Sequence, residues 1–298
     1  MKLTEDKFPI LGCVKNNILT DKFREFVENQ VPEKDSQESI MDGTRYFKDR
    51  HLQINYIAKS IHEKLSDTSN FIKAKDLLKN SPKVTGLILL PETIYPDFTN
   101  VPDYVEVDSN DYPINAILYS WLSWNDYDKM DDNLDDEDDE EYNNNRELFI
   151  IPIYNDGTTV GSKNSFEMMN NNEIYGWEYS EAEGRSWYGK IHDYVMSFIL
   201  FYNYTETDTK ILNGIDSGKQ RRAKLNDEKY LNSSENEIEI VDSSYFTKIV
   251  RTGEFGVSGH FRVQRHGIGN SETKIIFIED YKKTGYTRGA KIERKNGG

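Results

Sequence analysis

The sequence predicts an α+β protein: a helical N-terminal part, a mixed β-sheet middle with a buried helix, and a small β-rich C-terminal unit after a charged linker. Three observations carry that prediction. Apolar residues recur at helical spacing through 47–65. Short runs rich in β-branched and aromatic residues, separated by turn residues, fill 84–162. A helix-period stretch with almost no polar face occupies 188–204, well before a Gly/His-rich run and a last strand. The divisions that follow are 1–83, 84–204 with an acidic insertion over 126–145, 205–244, and 245–298.

Thr20-Asp21 supplies a helix start, with Phe23, Phe26 and Val27 on one face. Ile54, Ile57, Ala58, Ile61 and Leu65 form an apolar stripe that predicts one helix over 47–65. A short helix over 70–80 is expected to end before Pro82, because a residue preceding proline is biased away from the helical region. Val84–Leu90 is a nearly continuous apolar run, as in a buried strand, and Pro91 stops it. Tyr104–Asp108 alternates like a half-buried strand. Ile114–Trp124 fits a strand, with a helix as the open alternative. Leu148–Tyr154 reads as a strand whose Pro152 marks an edge or a bulge. Asn155-Asp156-Gly157 supplies a tight turn, so 148–162 reads as a hairpin. In 188–204, Ile191, Tyr194, Val195, Phe198, Ile199 and Tyr202 keep helical spacing and predict a core helix. The polar, lysine-rich 205–244 reads as a linker or arm. Tyr245–Val250 and Lys274–Tyr281 are expected strands around the Gly/His loop.

Charge narrows the function classes. The net charge of −15 argues against generic binding to a nucleic-acid backbone, which needs a positive surface. Residues 111–241 hold 11 basic and 28 acidic residues, whereas 242–298 hold 11 basic and 6 acidic ones. That asymmetry implies separate roles for the two parts, or docking of the basic tail on the acidic middle of a second copy. The single Cys13 excludes an internal disulfide framework and suits a reducing cytoplasm. Acids arrive before any apolar run in Met1–Lys7, unlike a signal peptide. No window approaches the ~20 apolar residues of a membrane span, so no membrane partner is expected.

Four groups of residues are candidates for chemistry. From Asp126 to Glu141 there are eleven carboxylates and one lysine, Lys129. Asp135, Asp136, Asp138 and Asp139 in that run could face a basic partner as a phosphate mimic, or simply be solvated. A calcium loop is a poor fit, since no glycine occurs between Asp111 and Gly157 to make its turn. Asp97, Asp103, Glu106 and Asp108 suggest a Mg²⁺-dependent nuclease site, but Asp108 stands where that chemistry wants a lysine. His260 and His266 lie among Arg262 and Arg265, with glycines at 256, 259, 267 and 269. Two histidines without cysteines do not make a zinc site. The arginines suit a bidentate grip on phosphate or carboxylate, so Gly259, His260, Phe261, Arg262, Arg265, His266, Gly267 and Gly269 form a candidate recognition loop. Trp177, Tyr179, Trp187 and Tyr188, spaced by acids and glycines, suit a contact surface or a lid over the core. No catalytic, metal or cofactor motif is complete, and a non-enzymatic binding protein is expected.

The Gly259-His260-Phe261 step, His266-Gly267-Ile268-Gly269 and the strand ending at Tyr281 resemble the C-terminal signature of the second-numbered type V-A anti-CRISPR family of phages and plasmids. Val101-Pro102-Asp103-Tyr104 resembles that family's Leu-Pro-Asp-Trp step into a strand. Phe261 stands where the family has tryptophan, and Ser258 where it has a basic residue. The resemblance implies a bacteriophage or plasmid anti-defence protein in the cytoplasm of a bacterial host. It would block immunity by binding a host defence protein complex, or its mRNA or nascent chain. A CRISPR or a Gabija system is a possible target. The alternatives are a metal-dependent nucleic-acid-processing enzyme using Asp103, Glu106, Asp108 and His260, and another structural or regulatory protein of a mobile element.

Overall fold

The computed structural model describes residues 1–30, 44–66, 80–95, 113–123, 126, 146–154, 163–168, 174–175, 189–205, 207–242, 255–257, 260–266, 268, 272–278 and 281–283. Its centre is an eight-stranded mixed sheet. In spatial order the strands are β10 (Asp208–Leu212), β13 (Ile238–Asp242), β4 (Gln53–Ile57), β5 (Val84–Ile94), β6 (Ile114–Ser123), β7 (Arg146–Tyr154), β8 (Lys163–Met168) and β9 (Ile174–Tyr175). The β13–β4 and β4–β5 pairs are parallel and the others antiparallel.

The central strands are apolar on both faces because both faces are covered. Ile88 and Leu90 of β5, Ile117, Tyr119 and Trp121 of β6, and Leu148 and Ile150 of β7 face helices α2 (Lys59–Ser66) and α3 (Gly189–Tyr204). Their sequence neighbours Leu87 and Leu89, Ala116 and Leu118, and Phe149, Ile151 and Ile153 face the other way. There they meet Phe8, Ile10, Leu11, Phe23 of α1 (Lys22–Gln30), and Phe47. Leu3, Ala223 and Tyr230 join this second core from a three-stranded sheet of β1 (Lys2–Leu3), β12 (Glu228–Asn232) and β11 (Arg222–Leu225). The molecule therefore stacks helices, a large sheet, and an N-terminal layer edged by a small sheet.

A buried polar network ties that N-terminal layer to the turn before β13. Asn236 Nδ2 donates to the carbonyls of Val14 at 2.8 Å and Leu11 at 3.3 Å, and its Oδ1 accepts from the Asn17 backbone N–H at 2.9 Å. Asn17 Nδ2 donates to the carbonyls of Leu52 and Glu237, both at 2.9 Å, and its Oδ1 accepts from the Glu237 N–H at 2.8 Å. Asn232 Oδ1 accepts from both the N–H and the hydroxyl of Ser234. Two asparagine-containing pairs make two-residue hairpins here. Asn16 and Asn17 join β2 (Val14–Lys15) to β3 (Ile18–Leu19), and Asn226 and Asp227 join β11 to β12. All four have positive φ, as a type I′ turn requires at both central residues.

Several expectations need correction. The predicted helix over 47–65 is a strand, β4, followed by a helix, α2. Ile54 and Tyr56 face the N-terminal layer whereas Ile57 faces α3, the two-residue alternation of a strand. Parallel pairing with β5 and β13 on either side overrides the accidental helical spacing. Among its described residues the N-terminal part combines short strands with α1 and α2, and a helical unit is not shown there. Residues 205–244 are not a linker: β10 and β13 belong to the main sheet and β11–β12 to the small one. They read as polar because β10 is a sheet edge, with Thr209, Lys210 and Ile211 exposed. Pro91 does not end β5; the register with β6 shifts between Leu89 and Ile94, and this irregularity carries the strand past it. Ile114–Ser123 takes the strand form, as β6. Strand β7 lies between β6 and β8, so Pro152 is not on a sheet edge; it pairs with Ile117 of β6, and the last described β7–β8 pair is Ile150↔Lys163. Helices α1 and α3 lie where the sequence put them. The helix over 70–80, the strands Tyr104–Asp108 and Tyr245–Val250, and the Asn155–Gly157 turn lie outside the described residues.

Candidate functional site

The Gly/His segment is a strand rather than a loop. β15 (His260–His266) pairs antiparallel with β16 (Glu272–Ile278), and β14 (Phe255–Val257) with β17 (Tyr281–Lys283). The register sets His260 opposite Ile278, Arg262 opposite Ile276, Gln264 opposite Lys274 and His266 opposite Glu272. Strand alternation therefore splits the candidates. His260, Arg262 and His266 fall on one face of this ribbon with Glu272, Lys274, Ile276 and Ile278; Phe261 and Arg265 fall on the other with Phe277 and Thr273. Gly259, Gly267 and Gly269 lie outside the described residues. So do Asp97, Asp103, Glu106, Asp108, Trp177, Tyr179, Trp187, Tyr188, Asp135, Asp136, Asp138 and Asp139.

The root of the acidic insertion is described, and cations hold it. Cross-strand neighbours Ser123 and Arg146 close its two ends on β6 and β7. Lys83 Nζ lies 2.6 Å from Asp126 Oδ2 and donates to Ser123 Oγ at 2.8 Å. The Ser123 hydroxyl and N–H both donate to Asp126 Oδ2, at 2.6 and 3.0 Å. Arg50 reaches the Asp126 carbonyl at 3.2 Å. Partial burial pushes the Asp126 carboxyl up, but the bonds from Lys83 and Ser123 outweigh it and hold the group below the usual carboxylate range.

A third place was not singled out by any motif. Between the C-terminal half of α3 and strands β4–β6 is a recess of about 220 Å³, lined by Gln53, Lys83, Tyr119, Phe198, Tyr202 and Asn203 among others. Its walls are aromatic: Phe198 lies edge-on to Tyr119 at 6.3 Å and tilted against Tyr202 at 5.7 Å. Gly86 makes room for the Tyr119 ring, since a Cβ there would sit 2.6 Å from its Cε1. Beside it, the Tyr202 hydroxyl donates to Glu239 Oε2 at 2.8 Å, and Gln53 Nε2 donates to the same oxygen at 3.4 Å. Burial and then the Glu239 carboxylate push the Tyr202 phenol up to about 12, so it stays a donor at neutral pH. Asn55, the register partner of Glu239, is 1% exposed, and its Oδ1 accepts no hydrogen bond among the described residues. The sequence signal for this site was faint: polar Gln53 and Asn55 at alternate positions inside a stretch read as helix.

Elsewhere the titratable groups are structural. Cys13 is buried, and burial pushes its thiol up to about 11, away from the thiolate a reactive cysteine needs. His62 Nδ1 lies 3.0 Å from the Tyr194 hydroxyl in the core, and burial holds the ring's pKa down. Among the described residues no group of three or more His, Cys, Asp or Glu side chains could hold a metal ion. No described helix is long and apolar enough to cross a membrane. Comparison with protein-family models, with curated proteins and with solved structures finds no match to this chain.

Proposed function

We propose that this chain is an anti-defence protein of a phage or other mobile element, which blocks a bacterial immune system in the host cytoplasm by binding rather than by catalysis. The observation that carries the reading is the β15–β16 ribbon. Its register gathers His260, Arg262, Gln264 and His266 on one face, with Ile278, Ile276, Lys274 and Glu272 across from them in turn. A two-stranded ribbon with cationic and hydrogen-bonding residues at alternate positions suits a grip on carboxylates or phosphates. It lies in the basic C-terminal stretch of an otherwise acidic protein. Two of them, His260 and His266, belong to the motif that resembles the type V-A anti-CRISPR family. The acidic run 126–141 adds sequence of opposite charge, rooted at Asp126 by Lys83.

Expression of the chain in bacteria that carry a type V-A CRISPR or a Gabija system tests the reading. Phage plating on such cells is expected to recover. Arg262→Glu, which reverses charge on the ribbon face, is expected to abolish the recovery without lowering the amount of folded protein. Plating that stays blocked with every defence system tried, despite abundant folded protein, would refute the anti-defence role.

A further inference from the structure

We infer that the β10 edge of the main sheet is a contact between two copies of this chain, paired antiparallel about a two-fold axis at Thr209. The inference stands apart from the ribbon and does not depend on the anti-defence reading.

The sheet ends differently on its two sides. On one side the described strands taper to the two residues of β9. On the other, β10 pairs with β13 along all five of its residues, from Asp208↔Asp242 to Leu212↔Ile238, with no shift of register. Its outer side has no strand partner among the described residues; β11 runs nearby but belongs to the small sheet. Such an edge presents a row of unpaired backbone N–H and C=O groups, a template for another strand. Proline and a bulge, two devices that blunt an edge, are both missing from β10. Thr209, Lys210 and Ile211 are exposed along it, and Ile211 leaves 52% of its surface in water. A facing strand would cover that β-branched side chain.

The residue pattern selects a second copy as the occupant. A lysine ordinarily guards an edge against pairing, but here Asp208 stands two residues before Lys210 and on the same face. Antiparallel pairing centred on Thr209 sets Asp208 of each copy opposite Lys210 of the other. The two-fold axis makes this contact twice, so the guard becomes an attraction. Within one chain Asp208 lies opposite Asp242, and Asn226 Nδ2 is 3.5 Å from an oxygen of the first and 2.9 Å from one of the second. The second copy's Lys210 brings a cation beside these two like charges. A pair of five-residue strands falls at the weak end of interface sizes, below ~1,200 Å², so the dimer depends on protein concentration.

Sedimentation velocity and amide hydrogen exchange of the full-length chain, over a range of concentrations, test the contact. The wild type is expected to pass from monomer to dimer, with exchange over 208–212 slowing as the dimer forms. Lys210→Asp and Asp208→Lys each set like charges opposite one another, and each is expected to weaken the dimer about tenfold. Mixing the two variants restores both opposite-charge pairs, and a heterodimer of wild-type affinity is expected. Wild-type exchange decides the matter even if a variant does not fold. A monomer at every concentration, a dimer protected elsewhere than 208–212, or a mixture no tighter than the single variants would overturn the proposal. Slowing of exchange over 208–212 only on addition of host lysate would overturn it too, and would give the edge to another protein.

Discussion

The two buried polar clusters of this protein differ in how completely they are satisfied. Around Asn17, Asn232, Ser234 and Asn236, each asparagine amide both donates and accepts, and the partners come from residues 11–17, 52, 212–213 and 232–237. Around Glu239 and Asn55, two donors share one oxygen of the half-buried Glu239 carboxylate, while the buried Asn55 Oδ1 accepts no hydrogen bond among the described residues. A complete network fixes one arrangement of the chain and leaves nothing for a ligand to gain. An unpaired buried acceptor instead costs roughly 1–3 kcal/mol, which a well-fitting apolar side chain avoids. The first cluster is thus a clasp between residues 11–17 and 232–237, and the second is incomplete at Asn55 Oδ1.

Substitutions can break that contrast. Asn236→Ala removes bonds to Leu11, Val14 and Asn17 at a position that is fully buried. The groups left unpaired should lower stability by on the order of 3 kcal/mol, seen as a lower urea midpoint with an unchanged slope. A loss under 1 kcal/mol would mean that the network is not the clasp. Gly86→Ala drives a Cβ to 2.6 Å from Tyr119 and is expected to cost about 1–3 kcal/mol through overpacking. The loss should appear as a lower midpoint in thermal unfolding.

Asn55→Leu sharpens the contrast with a smaller effect of opposite sign. It replaces a buried side chain with an unpaired Oδ1 by an apolar one of similar size. Stability should hold or rise by up to about 1 kcal/mol, read by thermal unfolding. The smallest effect is expected at the root of the acidic insertion. Asp126 has its pKa depressed in the folded state, so the stability it contributes is present above the ordinary carboxylate range and lost as pH falls through the depressed value. Lys83→Ala should remove most of that acid-limb dependence, and about 0.5–1 kcal/mol near neutral pH, because both side chains of the pair are partly exposed. An acid limb of the same shape in wild type and variant would assign it to other carboxylates.

What the sequence discloses follows from which periodicity each segment has to satisfy. The core helix α3 was legible because its apolar positions keep helical spacing along its whole length. Strands β5, β6 and β7 were legible as continuous apolar runs, the mark of a sheet covered on both faces. Strand β4 was not, because Ile54 and Ile57 are three residues apart by coincidence and face opposite sides of the sheet. Strands β10 to β13 were hidden by composition: an edge strand and a small outer sheet expose alternate polar residues and look like linker. The Asn226-Asp227 pair between two short alternating runs was the available signal for the β11–β12 hairpin. For the candidate sites, a motif marked the ribbon residues but not their split over two faces, which only register determines. The recess has no motif at all, since its parts come from β4, β5, β6 and α3 and meet only in the fold.

Affinity capture of the tagged full-length chain from cells carrying several defence systems, with bound protein and RNA both identified, tests the binding role most directly. The predicted result is a stoichiometric defence complex, or instead the transcript or ribosomes that make one. In either case capture should be lost in the Arg262→Glu variant. Recovery of the folded chain with neither a defence protein nor its message would contradict the account.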